Sequence, residues 1–207
     1  MTKLQLLVAT HNPSKLKRYQ KELINLPIEL ISLQNLGIKI EPPLEIGADV
    51  AEICKNKAQF YFEKTKKACF SNDSGLYFEK VEAWEQPGTN VKGIAHATDD
   101  MPQEEIYTKM IDFYQNLAAK YGGKLNGYFL DSYCVFDGQK IWQSQAKRPI
   151  LLTNQVNKKD IYFPICSLYK VKDKFYHDLT PSEMSHFLAP SMESLQNVIK
   201  NWLGNAQ

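Results

Sequence analysis

The chain has little that would carry it into a membrane or onto a long nucleic acid. No stretch approaches the roughly 20 apolar residues a spanning helix needs. The one early apolar run, Leu4 to Ala9, is short and leads straight into polar residues, which argues against a signal peptide. Basic residues number 25 against 23 acids, for a net charge of +2, and the lysines are scattered among acids. A nucleic-acid footprint needs a concentrated basic stripe instead. The four cysteines, Cys54, Cys69, Cys134 and Cys166, show neither a CxxC nor a Cys/His ligand spacing, and His11, His96, His177 and His186 show no HxxxH. A zinc site on those ligands is therefore not expected. There is no internal repeat and no low-complexity linker. These absences predict reduced thiols and a cytoplasmic protein, with neither nucleic acid nor membrane as a partner.

What is present is a globular composition, 43% hydrophobic and 23% charged over 207 residues. That length suits one core, or two lobes sharing a sheet, and residues 1–207 are read as a single domain. The aromatic share of 12% serves first to fill cores and line pockets.

Leu4 to Ala9 suits a buried strand ending at Thr10. Asn12 before Pro13 reads as a helix N-cap with proline at the first helical position, continued by Leu16, Tyr19 and Leu23. Ile28 to Leu33 is a second strand, and the Pro42-Pro43 pair breaks regular structure beyond it. Asp49 and Glu52 form a capping-box pattern before a helix whose inner stripe is Val50, Ile53, Cys54, Lys57, Ala58 and Tyr61. Ala68-Cys69-Phe70 is a strand running into a polar turn, Ser71 to Gly75, and Leu76 to Phe78 resumes extended structure. Asp100 and Pro102 open a helix carried by Ile106, Met110, Phe113, Leu117 and Tyr121 and stopped by Gly122-Gly123. Tyr128 to Phe136 is a strand, and Asp137-Gly138 is a hairpin turn before Ile141-Trp142. Further strands are predicted at 150–153 and 161–171, then a helical region at 182–203 interrupted at Pro190. Alternating strands and helices followed by a strand-rich half predict an α/β fold with a mixed sheet.

Three groups of residues could carry chemistry. Thr10, Asn12 and Lys15 surround the predicted helix N-terminus, where backbone N–H groups attract anions and a lysine adds a point charge. The plainer alternative is that Asn12 only caps the helix and Lys15, like Lys17, Arg18 and Lys21, is solvated; local pattern alone favours it. Glu45, Glu52 and Asp73 are hard oxygen donors of the kind Mg²⁺ takes beside phosphate oxygens, although Glu52 could simply complete the capping box. Asp73, at the predicted end of a buried strand, stands where α/β proteins bind ligands. Pro87 to Lys92 reads as a loop carrying a lysine.

Taken in order, these segments resemble the inosine triphosphate pyrophosphatase family, which cuts non-canonical purine nucleoside triphosphates to monophosphate and pyrophosphate. Thr10, Asn12 and Lys15 fit its opening Thr-x-Asn-x-x-Lys block; Glu45 with Gly47, then Glu52 with Lys57 and Ala58, fit the second; Ser71-Asn72-Asp73-Ser74-Gly75-Leu76 fits the third. Pro87-Gly88 falls at a family turn, and Lys92 resembles a lysine found after it in some members. The resemblance implies an elongated, twisted mixed sheet flanked by helices, two lobes with a nucleotide cleft between them, and a homodimer. It implies Lys15, Thr10 and Asn12 on the phosphates, with Ser74, Gly75 and Lys92 as further substrate contacts. It also implies Glu45 and Asp73 on Mg²⁺, and Lys15 and Asp73 as the catalytic pair, Asp73 orienting the attacking water. The chain departs from the pattern at Arg18 and Asn72, where the family has acids, and at Phe163 and Ser191-Met192-Glu193, where it reads the base. Altered base selectivity is the expectation. The alternative function is a nucleotide-binding protein of the same fold without turnover.

Overall fold

A computed structural model of the protein describes residues 3–37, 40–43, 47 and 49–205. Strand β1, Leu4–Val8, is buried at Leu6, Leu7 and Val8, as an apolar run inside a sheet must be. Helix α1, Pro13–Glu22, begins at the predicted cap, and β2, Ile28–Ser32, comes after it. Asp49 caps α2, Val50–Thr65, by accepting from the N–H groups of Ala51 at 2.8 Å and Glu52 at 2.9 Å. Next come β3, Cys69–Phe78, and α3, Gln103–Lys120. Helix α3 ends where Gly122 and Gly123 take the left-handed φ values of 85° and 82° that side chains resist. β4, Lys124–Phe136, and β5, Ile141–Thr153, form the predicted hairpin, with Asp137 Oδ1 accepting from Gln139 N and Lys140 N at the turn. The chain closes with β6, Tyr169–Val171, β7, Lys174–Phe175, and α4, Pro181–Leu203.

The strands hydrogen-bond in the order β2-β1-β3-β4-β5-β6-β7. β1 is parallel to β2 and β3, while β5, β6 and β7 run antiparallel, so the sheet is mixed as expected. The chain divides into two compact units. Unit 1 comprises 1–73, 131–146 and 191–207; unit 2 comprises 74–130 and 147–190. The boundaries fall inside β3, β4, β5 and α4.

In unit 1 the side chains alternate across the sheet. Leu6, Val8, Phe70, Tyr133 and Val135 pack against Tyr19 of α1, Leu23 just after that helix, and Leu195, Val198, Ile199 and Trp202 of α4. Leu7, Ala9, Ile31 and Cys69 pack against Tyr61 of α2, and Cys134 meets Cys54 and Ala58 of that helix. Unit 2 has its own core, in which Leu76, Phe78, Leu125, Ile150 and Leu152 meet Ile106, Met110, Tyr114 and Leu117 of α3.

Four local expectations are corrected. Ser71 to Gly75 is not a turn but the middle of β3. Its polar side chains reach other segments: Ser71 Oγ donates to Cys54 O at 2.6 Å, and Asn72 Nδ2 to Ser132 O at 3.0 Å. The segments 141–142 and 150–153 are one strand, β5; β6 pairs with it at Leu151 and Leu152, which leaves Pro149 outside that pairing. Of 161–171 only Tyr169–Val171 is strand, because Asp160 Oδ1 accepts from Tyr162 N and Phe163 N and Pro164 opens a short 3-10 turn. Finally, α4 runs through Pro190. Burial of Phe187 before the proline and of Leu195, Val198, Ile199 and Trp202 after it outweighs the roughly 3 kcal/mol an internal proline costs.

Candidate functional site

The site grows from the carboxyl end of β1. Val8 is in register with Phe70, and Ala9 N donates to Phe70 O at 2.8 Å, so the parallel ladder brings Thr10 to the level of Asn72. Thr10 Oγ1 then accepts from Asn12 N at 3.1 Å, and Asn12 Oδ1 accepts from Ser14 N at 2.9 Å and Lys15 N at 3.3 Å. Pro13 has no N–H to satisfy. The first turn of α1 holds no acid, so its positive end is not compensated by a carboxylate of its own. The capping alternative for Asn12 is thus observed, and it does not compete with anion binding, because the Thr10 hydroxyl proton and Asn12 Nδ2 are not used in those bonds.

Thr10, His11, Asn12, Pro13, Leu16, Ser32, Leu33 and Gln34 line a depression of about 50 Å³. That volume suits a phosphate group, not a whole nucleotide, whose pockets run to several hundred Å³. His11 is exposed, and its Nε2 lies 3.0 Å from the Tyr61 hydroxyl.

β3 divides its two central polar residues between opposite faces of the sheet. Asn72 faces α1, where Tyr19 donates its hydroxyl to Asn72 Oδ1 at 2.9 Å. Asp73 falls on the α2 face with Ser71; it is half-buried, and its Oδ2 is fully enclosed. The Cys54 thiol is pushed up to about 11, by burial first, then against the Ser71 hydrogen bond and with the Asp73 charge. A buried, protonated thiol of this kind is inert.

Ser74, exposed, and Gly75, buried, come after Asp73 along β3 and open unit 2. Lys92, also in unit 2, is exposed and pairs with Asp99 at 2.5 Å. Glu52 is exposed in the first turn of α2, and Glu45 lies outside the described residues. Among the described residues no group of three or more His, Cys, Asp or Glu could hold a metal ion. A cavity of about 340 Å³ in unit 2 is lined by Glu79, Lys80, Tyr121, Lys124, Leu125, Asn126 and Leu151, none of them a predicted site residue.

The C-terminal departures have distinct environments. Tyr162 and Phe163 are 72% and 67% exposed. Ser191 is buried with its hydroxyl 2.5 Å from that of Tyr133, Met192 packs on the unit 1 core, and Glu193 is exposed. Sequence reasoning missed two buried polar groups, the Tyr19 hydroxyl and Asp131, which is only 3% exposed. The available signals were a tyrosine in the inner stripe of a helix, whose hydroxyl must find a partner, and an acid inside the apolar run of β4. Burial raises the Tyr19 hydroxyl to about 12, Arg18 opposing the rise and Asp131 adding to it.

The profile of the Ham1 family matches residues 6–138, which is more than half the chain and includes Thr10, Asn12, Lys15 and Asp73. The chain belongs to the Ham1 family. The resemblance seen in the N-terminal blocks is therefore correct. A dITP/XTP pyrophosphatase of Caldanaerobacter subterraneus is 32% identical over 138 residues, which span 66% of this chain and 65% of that protein. One from Thermoanaerobacter sp. is 28% identical over 137 residues, with the same coverage. The match thus spans a little under two thirds of each relative's length. A HAM1 protein from Coxiella burnetii superposes with a TM-score of 0.76 at 20% identity, covering 96% of this chain and 99% of that one. The Ham1 protein of Staphylococcus aureus gives 0.73 at 14% identity, covering 98% and 100%. The Ham1 fold accordingly extends well beyond Gly138, where the profile match ends, so α4 and the strands after β4 keep the architecture while their sequence diverges. Among the described residues, no helix of this Ham1 protein is long and apolar enough to cross a membrane.

Proposed function

We propose that this Ham1-family chain is a metal-dependent nucleoside triphosphate pyrophosphohydrolase, converting a non-canonical purine nucleoside triphosphate and water to monophosphate and pyrophosphate. The observation that carries the reading is the register of β1 on β3, which sets the Thr10–Asn12–Lys15 corner of α1 beside the strand bearing Asp73. Thr10, Asn12 and Lys15 hold phosphate oxygens. Asp73 accepts the proton of the attacking water and aims its lone pair at the α-phosphorus.

Mg²⁺ fits this donor set, because a half-buried carboxylate offers the hard oxygens it takes alongside phosphate and water. Asp73 and Glu45 would hold the ion. When bound, it supplies neutralisation of the charge that grows on the departing pyrophosphate. Two relatives named dITP/XTP pyrophosphatase support the substrate class. A cytoplasmic homodimer completes the reading.

The second reading is a nucleotide-binding protein without turnover. It is favoured by Asn72, a neutral amide beside Asp73 that leaves β3 with one carboxylate. Calorimetric titration with deaminated and standard triphosphates, each with and without Mg²⁺, paired with a pyrophosphate-release assay, separates the two. Binding with release supports the hydrolase, binding in silence supports the second reading, and no binding across the panel removes both.

A further inference from the structure

One polar chain in unit 1 includes none of the residues assigned above to phosphate, metal or water. Tyr19 is the buried residue of α1, 1% exposed, with its ring edge-on to Phe70 at 5.0 Å. Its hydroxyl donates to Asn72 Oδ1 at 2.9 Å and accepts from Arg18 Nη2 at 3.3 Å, while the guanidinium carbon stands 5.1 Å from the ring centre. Asn72 donates in turn to Ser132 O at 3.0 Å and Asp73 O at 3.2 Å. Both ends of the amide are thereby fixed, the amide fixes the tyrosine hydroxyl, and the hydroxyl fixes the arginine.

This arrangement exceeds what packing requires. A buried tyrosine hydroxyl needs one partner, and Asn72 already supplies it. Arg18 is exposed, carries five N–H donors, and makes its only hydrogen bond among the described residues to Tyr19. It lies three residues after Lys15, so both line one edge of α1, and long helical side chains lean back toward the N-terminus. A planar guanidinium is the side chain suited to grip two phosphate oxygens at once. The amide at 72 also matters. A carboxylate there could accept from Tyr19, but it would draw the positive charge to itself and could not donate to the two carbonyls.

Resting on the triphosphate reading, we propose that Arg18 is a second phosphate-binding cation, one helical turn beyond Lys15, held for the outer phosphates by Tyr19 and Asn72 as positioning residues. The two departures from the family pattern, Arg18 and Asn72, then form one device.

The test titrates the full chain calorimetrically with inorganic tripolyphosphate and with inosine monophosphate, comparing wild type, Arg18→Gln, Tyr19→Phe and the double variant, with thermal melts to show all four folded. Removing a charged hydrogen-bond donor should weaken tripolyphosphate about 10- to 100-fold in Arg18→Gln and leave the monophosphate nearly unchanged. Tyr19→Phe should weaken it less, and should add nothing in the Arg18→Gln background, which a merely structural tyrosine would not do. Wild-type affinity for tripolyphosphate in Arg18→Gln overturns the proposal, as does a Tyr19→Phe effect equal in both backgrounds. A wild-type protein that binds no polyphosphate or nucleotide overturns the triphosphate reading itself, and this inference with it.

Discussion

Asn12 both caps α1 and faces the proposed phosphates, and two substitutions separate those roles. Asn12→Ala removes the oxygen that accepts from Ser14 N at 2.9 Å and Lys15 N at 3.3 Å. Loss of such a cap costs about 1 kcal/mol, which in a chain of this size lowers Tm by about 2–4 °C. Asn12→Asp keeps the accepting oxygen and adds a negative charge at the positive end of the helix, worth about 0.3–1 kcal/mol in favour of folding. The same charge opposes the ligand. A carboxylate about 5 Å from one phosphate charge, at an effective dielectric near 20, repels it by about 3 kcal/mol before salt screening. Triphosphate affinity should then fall by at least about tenfold in the protein that melts no lower than wild type. The assay is differential scanning calorimetry beside titration calorimetry with one triphosphate at fixed ionic strength. If Asn12→Asp binds as tightly as wild type, the start of α1 is not the phosphate site and Asn12 is a cap alone.

Asp73→Asn should lower kcat by about 10² to 10⁴ with an unchanged circular dichroism spectrum, as loss of a positioned general base does; unaltered single-turnover rates would make Asp73 a strand residue only. Gly127→Ala should destabilise the protein by about 1–3 kcal/mol in urea titration, because a Cβ there would lie 2.5 Å from both Tyr77 O and Phe78 Cδ1, and the first of these is backbone. Glu183 accepts from Lys174 Nζ and from Thr180 N and Oγ1, which pull its carboxyl from 4.5 down to about 2. Its folded value is the lower one, so its contribution is present above pH 4.5 and is lost as pH falls toward 2. Stability of Glu183→Gln should therefore vary less across that window than that of wild type, and parallel curves would refute the assignment.

The first half of the fold is legible in the sequence because its signals are local. A short apolar run, Asn12 before Pro13, and Asp49 three residues before Glu52 each dictate a strand or a helix start without help from distant residues. Thr180 and Glu183 show the same logic at α4, where Thr180 N bonds to Glu183 Oε2 and Glu183 N to Thr180 Oγ1. Ser71 to Gly75 misleads because five small or polar residues spell a turn in isolation. What overrides that spelling is contact with Cys54 and Ser132, 17 and 60 residues away from their respective partners. The same non-local contacts hide the Tyr19–Asn72 bond, which joins residues 53 apart. Thr10, Asn12, Lys15 and Asp73 can be named from spacing, but the level at which Thr10 meets β3 depends on the β1–β3 register, which spacing does not encode.

In the proposed reaction water attacks the α-phosphorus of a nucleoside triphosphate. Turnover of inosine triphosphate with Mg²⁺ in ¹⁸O-labelled water, with mass spectrometry of the separated products, tests it most directly. Monophosphate and pyrophosphate are expected in equal amounts, with the label in the monophosphate. Orthophosphate and diphosphate as primary products, or label in the pyrophosphate, would contradict it.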